Sequence, residues 1–427
     1  MSGSKPALPL EGVRVIDMTE VWAGPLAGSL LGDLGAMVIK VESFPRPSLT
    51  RLKGLSIGYS DNDPNAPRPW DRAALHNMAN RNKYGVTLNI RHHRGMEIFS
   101  KLVGISDVLA ESFTAGTATR LGVDYPAISK MKPDIVMLSM SGWGEDGPYK
   151  GYAALGSALD GFTGHHAMRG YPDTDPSTTP NVQHTDAAGS VAAVFAVLTA
   201  LHYRRRTGKG QWIDMSQVES FLPHLGGAFM DYVMNGRTPE PLGNRHQYLA
   251  PYGCYRCRGD DNWVVINVTC EEEWLALCNV TEHPEWAEDP RYADPVSRHR
   301  NQDALDEAIQ GWTLQRDKME VMQLLQQAGV PAQAVLDDVD LYDDPHLKAR
   351  GFFQKLRHSA AGEHDYPGLL WKLTKADQSV RLSPNTLGEH NDYVYGELLG
   401  MSVREIESLR AEGIIGEAFP PEVYDVV

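Results

Sequence analysis

The chain has 427 residues, 42% hydrophobic and 22% charged, which is ordinary globular material and enough for two or three domains. A formal charge of −15 excludes a surface built to hold nucleic acid, so any anionic ligand must meet a local patch of cations. The 4 cysteines exclude a tetrahedral zinc set, because only Cys254 and Cys257 stand in C-x-x-C spacing and Cys270 and Cys278 supply no second pair.

Free thiols in a reducing cytoplasm are therefore expected. Residues 1–9 are polar and carry neither the apolar stretch nor the cleavage site of a secretory signal. From there strand and helix alternate. Residues 13–18 form a short β-branched run, residues 23–35 carry leucines at helical spacing, and residues 37–42 form a second apolar run. That is a βαβ unit, which requires parallel strands. Residues 86–90, 107–110 and 135–139 read as further strands, with helices over 94–103 and 125–131 between them. The expected fold is α/β, with a doubly wound parallel sheet.

The first strand-to-helix turn bears on a nucleotide reading. Glu42 ends the second strand about where a dinucleotide fold places its ribose-binding acid. Yet the turn reads Thr19-Glu20-Val21-Trp22-Ala23-Gly24-Pro25, with bulky Val21 and Trp22 where G-x-G-x-x-G would let a pyrophosphate approach. Gly208-Lys209 is no phosphate loop either, since Tyr203 replaces the first glycine and Gly210 follows the lysine. There is no G-x-S-x-G elbow and no H-E-x-x-H helix, and the adjacent pairs His92-His93 and His165-His166 are not helically spaced.

Asp186 precedes an apolar run, residues 191–201, that is too short to cross a bilayer core of about 30 Å. On residue type alone it is a helix N-cap accepting hydrogen bonds from free backbone N–H groups. The string Arg204-Arg205-Arg206 complements the dipole at the far end of the same helix. Next comes a turn-rich linker, Asn235-Gly236-Arg237-Thr238-Pro239-Glu240-Pro241, then strands over 254–258 and 263–268 and a helix over 271–277. The expected division is 1–235 as a large Rossmann-like domain, 236–339 as a small α/β domain and 340–427 as a C-terminal segment.

Several motifs occur in a fixed order. They are Leu10-Glu11-Gly12-Val13-Arg14-Val15-Ile16-Asp17, Ala23-Gly24-Pro25, Leu34-Gly35-Ala36, Asn80-Arg81-Asn82-Lys83, Glu111-Ser112-Phe113, Arg120-Leu121-Gly122, Ser141-Gly142-Trp143-Gly144 with Gly147-Pro148-Tyr149, Arg206-Thr207-Gly208-Lys209-Gly210-Gln211 and Leu387-Gly388-Glu389-His390-Asn391. Together they resemble the class III CoA-transferases, which include formyl-CoA transferase, carnitine CoA-transferase and α-methylacyl-CoA racemase. The resemblance implies that residues 340–427 return to the large domain. It also implies an interlocked homodimer, or a heteromer with a related subunit, and no tightly bound cofactor or metal.

By the same resemblance, Asp186 is the nucleophile that carries acyl and CoA groups in turn, held ionised by the helix N-terminus. Tyr152 stands where the racemases place a histidine, which favours CoA transfer over α-proton exchange, although a tyrosine packed under a loop is the plain alternative. Arg81, Lys83, Phe113, Arg120 and Lys150 match CoA-binding positions. Val21 and Trp22 face the substrate. Trp22 in place of a pocket glutamine, and a 243–253 stretch without a glycine flap, imply an acid bulkier than oxalate, unless Trp22 only fills core.

Overall fold

Along the first strands, successive side chains enter opposite layers. Val15, Val38, Val108 and Val136 join one core while Ile16, Ile39, Leu109 and Met137 join the other. Strands apolar on both faces need helices on both faces, and the computed structural model has them. It describes residues 8–44, 46–52, 58–63, 65–180, 182–376 and 378–419. The strands are β1 (Arg14–Asp17), β2 (Met37–Glu42), β3 (Lys83–Thr87), β4 (Val108–Glu111), β5 (Val136–Ser141) and β6 (Gln211–Ser216). All neighbours pair in parallel, in the order β3-β2-β1-β4-β5-β6.

One face is covered by α1 (Ala23–Asp33) and, later in the chain, the long α5 (His184–Thr207), which contribute Leu30, Leu31, Val194 and Val197. The other is covered by α2 (His93–Gly104) and the C-terminal α9 (Val403–Ala411), with Phe99, Leu102, Ile406 and Leu409. Each such buried apolar side chain contributes roughly 1.5–3 kcal/mol. Between α2 and α5 lie α3 (Tyr125–Met131) and α4 (Gly156–Phe162).

Several expectations shift. The third strand begins at Lys83 rather than Val86, because Lys83 is buried and pairs with Val38. A sixth strand, β6, was hidden by the charged and glycine residues before it. The helix α5 spans 24 residues, well beyond the apolar run 191–201, and is the one described helix long and apolar enough to cross a membrane. Its Ala193, Val194, Val197 and Ala200 lie in the sheet core.

The chain divides into two units, one of Met1–Thr163, Asn181–Phe229 and Ala349–Val427, the other of Gly164–Pro180 and Met230–Lys348. The first holds the six-stranded sheet and a β10 (Phe353–His358) and β11 (Gly362–Pro367) hairpin. Its C-terminal part lies along the free side of β3, where the Thr87 N–H donates to Asn391 Oδ1 at 3.0 Å, and the Thr87 hydroxyl donates to the Gly416 carbonyl at 2.7 Å. The second unit carries an antiparallel sheet of β7 (Tyr252–Arg256), β8 (Trp263–Asn267) and β9 (Ala332–Ala334). Packed on it are α6 (Glu271–Val280), α7 (Gln302–Thr313) and α8 (Lys318–Gln327), around Trp274, Leu277 and Leu305.

Candidate active site

In an open parallel sheet, ligands bind beyond the carboxyl ends of the strands where the strand order reverses, here between β1 and β4. A cleft of about 500 Å³ lies there. The turn after β1 supplies Val21, Trp22 and Ala23, the end of β4 leads to Ser112 and Phe113, β5 ends in Ser141 and leads to Trp143, and α5 supplies Asp186. Four separate segments therefore line the cleft that the Asp186 carboxylate faces.

Asp186 is 8% exposed. It occupies the third position of α5, not the cap, which falls on Gln183 with φ 52°. The capping oxygens come from Asp160 of α4, which accepts from the His184 N–H at 3.0 Å and the Thr185 N–H at 2.9 Å. Because another aspartate does that work, the Asp186 carboxylate is left to face the cleft. It accepts one hydrogen bond from the Ala23 N–H, at the start of α1. Gly156 packs directly on it, and a Cβ there would overlap Asp186 Oδ2.

The groups that act on the charge of Asp186 are burial, the Ala23 N–H and Asp160, while the first free N–H groups of its own helix are taken by Asp160. Burial raises the Asp186 pKa to about 6, the Ala23 N–H pulls it down only in part, and neighbouring Asp160 adds to the rise. A carboxylate with that value is still mostly charged at neutral pH, and its oxygen is more basic than that of an exposed aspartate. Glu111, at the end of β4, is likewise raised to about 7 by burial. Its Oε2 accepts the Phe113 N–H at 2.7 Å and so fixes the loop that carries this ring.

The sequence profile of CoA-transferase family III matches residues 10–391. The chain belongs to that family. This family III CoA-transferase is 30% identical over 415 residues to succinyl-CoA–D-citramalate CoA-transferase of Chloroflexus aurantiacus, covering 97% of the chain and 100% of the relative. It is 29% identical to mouse (Mus musculus) succinyl-CoA:glutarate CoA-transferase, covering 95% and 90%. Among solved structures it is similar to a CAIB/BAIF family protein from Brucella suis, with a TM-score of 0.81, 30% identity and coverage of 92% and 100%.

Two of the residues expected to bind CoA in this transferase do other work. Lys83 is fully buried and donates to Asp17, the Pro25 carbonyl and Asn80, so no proton of its ammonium remains for a phosphate. Arg81, 3% exposed, forms a two-point pair with Asp33 and also donates to the Gly368 carbonyl. Both were misread because their charge was visible in the sequence and their burial was not. Phe113, Lys150, Tyr152, Val21 and Trp22 all line the cleft. Tyr152 is 59% exposed and packs against Trp143 and Tyr149 rather than under a loop, and among the described residues its hydroxyl has no hydrogen bond to Asp186. Arg120 is exposed and lines an adjoining groove with Arg91, His92 and His93.

A further cavity of about 310 Å³ joins these two, sharing Phe113 and Arg46 with the first and Arg91 with the groove. Arg46 and Arg91 were missed by sequence reasoning. The one signal for Arg91 was its place directly after an apolar strand-like run. Gln217 was also missed, and Ser141 and Trp143 were legible only as part of a motif, with no role of their own. Ser141 Oγ, Trp143 Nε1 and Gln217 Oε1 are buried beside the cleft with no hydrogen-bond partner among the described residues.

Proposed function

We propose that the protein moves CoA from an acyl-CoA donor, such as succinyl-CoA, to a carboxylic acid acceptor through covalent intermediates on Asp186. The observation that carries this reading is a nearly buried carboxylate facing the switch-point cleft while a second aspartate caps its helix. An Asp186 oxygen attacks the thioester carbonyl, the C–S bond breaks, and CoA leaves as thiolate from a mixed anhydride. The thiolate attacks the aspartyl carbonyl, releasing the donor acid and leaving an aspartyl-CoA thioester. The acceptor carboxylate displaces the thiolate to give a second anhydride, and the thiolate then attacks the acceptor's carbonyl, freeing Asp186. No net proton or water enters, which suits a cleft that shields the anhydrides from hydrolysis.

Arg91 and Arg120 supply cations along the adjoining cavities for the phosphates of CoA on an otherwise acidic protein, with Arg46, exposed and paired with Glu20 at 2.9 Å, between them and Lys150 nearer the reacting end. Trp22, Trp143 and Tyr152 give flat apolar walls, and the unpartnered Ser141 Oγ and Trp143 Nε1 give polar points between them. An acid with an apolar body and an additional oxygen function fits this lining. The relatives' named acids, glutarate and citramalate, carry such oxygens. The racemase alternative is weaker, since no histidine is among the described residues lining the cleft.

The reading extends to a cytoplasmic homodimer. Val191, 50% exposed, and Phe195, 73% exposed, lie one turn apart on α5 and form an apolar stripe that a second copy would cover. The free cysteines fit a reducing compartment. The decisive test is to incubate the protein with succinyl-CoA, trap with hydroxylamine and map the product by mass spectrometry. A hydroxamate on the peptide containing Asp186 is expected, and a label elsewhere overturns the assignment.

A further inference from the structure

The turn between β1 and α1 is gripped from below by charges that the proposed chemistry does not use. Asp17, the last residue of β1, is fully buried. Its Oδ1 accepts the Thr19 N–H at 2.9 Å and the Thr19 hydroxyl at 2.5 Å, and its Oδ2 accepts from Lys83 Nζ at 2.8 Å. Lys83 also donates to the Pro25 carbonyl at 2.6 Å and to Asn80 Oδ1 at 2.9 Å. Lys40 Nζ lies 3.5 Å from Asp17 Oδ1 and donates to the Thr19 carbonyl. One end of the turn is thus tied at Thr19 and the other at Pro25.

Between the ties the backbone is strained. Val21 has φ 68°, a left-handed conformation that a β-branched residue adopts only under constraint, at a cost of about 1–3 kcal/mol. The Glu20 N–H donates to Ser112 Oγ at 2.9 Å, and the Ser190 hydroxyl donates to the Ala23 carbonyl at 2.9 Å. Within this tied turn the Ala23 N–H donates to Asp186. Space for the ion pair is made by Gly28 on α1, where a Cβ would lie 2.6 Å from Asp17 Oδ2.

We propose that the buried Asp17–Lys83 pair, together with Lys40, positions residues 19–25 so that the Ala23 N–H stays on Asp186 through its acylation and deacylation. This rests on the reading of Asp186 as nucleophile. Once Asp186 is an anhydride or thioester, the same N–H is a fixed donor beside the aspartyl carbonyl, where negative charge develops when that carbon is attacked. Burial alone would raise Asp17, but Lys40 and Lys83 hold it down to about 2, while burial lowers Lys83 to about 8. Both partners are therefore charged at neutral pH. Asp17 and Lys83 act through the turn and touch no reacting atom.

The test compares Lys83→Met, the charge-balanced double variant Asp17→Asn/Lys83→Met, and Thr19→Val, which removes one tie without touching a charge. Each is assayed for kcat, for KM toward succinyl-CoA and for the pH dependence of kcat, with Asp186→Asn alongside. Expected is a fall in kcat of about 10- to 100-fold for the lysine variants and a smaller fall for Thr19→Val. KM should change by less than kcat, the turn also carrying Val21 and Trp22 of the cleft wall, and the acid limb of the profile should move to higher pH as Asp186 loses its donor. Wild-type kcat with an unmoved limb overturns the proposal, as does a lower kcat whose limb has not moved, since that reports only lost folded protein. A rise in KM exceeding the fall in kcat would return Lys83 to the CoA site. If Lys83→Met does not fold, the double variant and Thr19→Val read the same ties. Full transfer by Asp186→Asn would instead sink the nucleophile itself, so the two failures are distinct.

Discussion

Replacing Asp186 with asparagine should abolish CoA transfer and at the same time make the protein more stable. The carboxylate's pKa is about 6 in the folded state against 3.8 for an unhindered aspartate, a difference of about two units. At roughly 1.4 kcal/mol per unit, a charged Asp186 costs the native state up to about 3 kcal/mol at neutral pH. The sign follows from proton counts. Between pH 3.8 and about 6 the folded chain keeps a proton that the unfolded chain has lost, so stability falls as pH rises through that window and levels off above it. Asparagine does not titrate, keeps the shape, and retains an acceptor for the Ala23 N–H. Urea unfolding of both proteins at pH 4, 5, 6 and 7.5 should therefore give near-equal stabilities at pH 4 and a gap that opens to a plateau by pH 7. Equal stability at pH 7.5, or a variant less stable than wild type there, would refute the claim that burial strains this carboxylate.

In the wild type, kcat should fall on the acid side with an apparent pKa near 6, read from pH–rate profiles at saturating succinyl-CoA, because the proposed attack needs the ionised carboxylate. Gly156→Ala should cut kcat by about 100-fold while circular dichroism stays native, since the new methyl displaces Asp186 Oδ2. Asp160→Ala should cost about 1–2 kcal/mol by thermal unfolding through loss of the α5 cap, and it should shift the acid limb of kcat to lower pH. Arg81→Met should destabilise by about 3–5 kcal/mol by stranding buried Asp33, whereas Arg120→Ala and Arg91→Ala should leave the melting temperature alone and raise KM for acyl-CoA in a salt-dependent way.

What could be read in the sequence was what depends on short-range pattern. The alternation of apolar runs gave the strands that became β1, β2, β4 and β5, because a strand buried on both faces is written in consecutive residues. Asp186 stood out because it sits directly before a run of small and apolar residues. Its surroundings could not be read, since they are set by contacts distant in the chain. Asp160 lies 26 positions away and takes over the cap, while Ala23 lies 163 positions away and supplies the one N–H. The same distance defeated Arg81 and Lys83. Their partners, Asp33 and Asp17, are themselves charged residues that a linear reading places on the surface, so a mutual burial of opposite charges looked like two free cations. Arg46 and Arg91 erred the other way, being ordinary surface arginines until the sheet brings their loops beside Phe113.

The outer side of β3 is closed by residues that emerge from the ribosome some three hundred positions after it. Thr87 waits for Asn391 and Gly416, and Gly85 for His390. During synthesis the half-built sheet therefore presents a bare strand edge, the kind of surface that pairs with other nascent chains. Such long-range closure is slow. Overexpression without added chaperone should therefore leave much of the product in inclusion bodies.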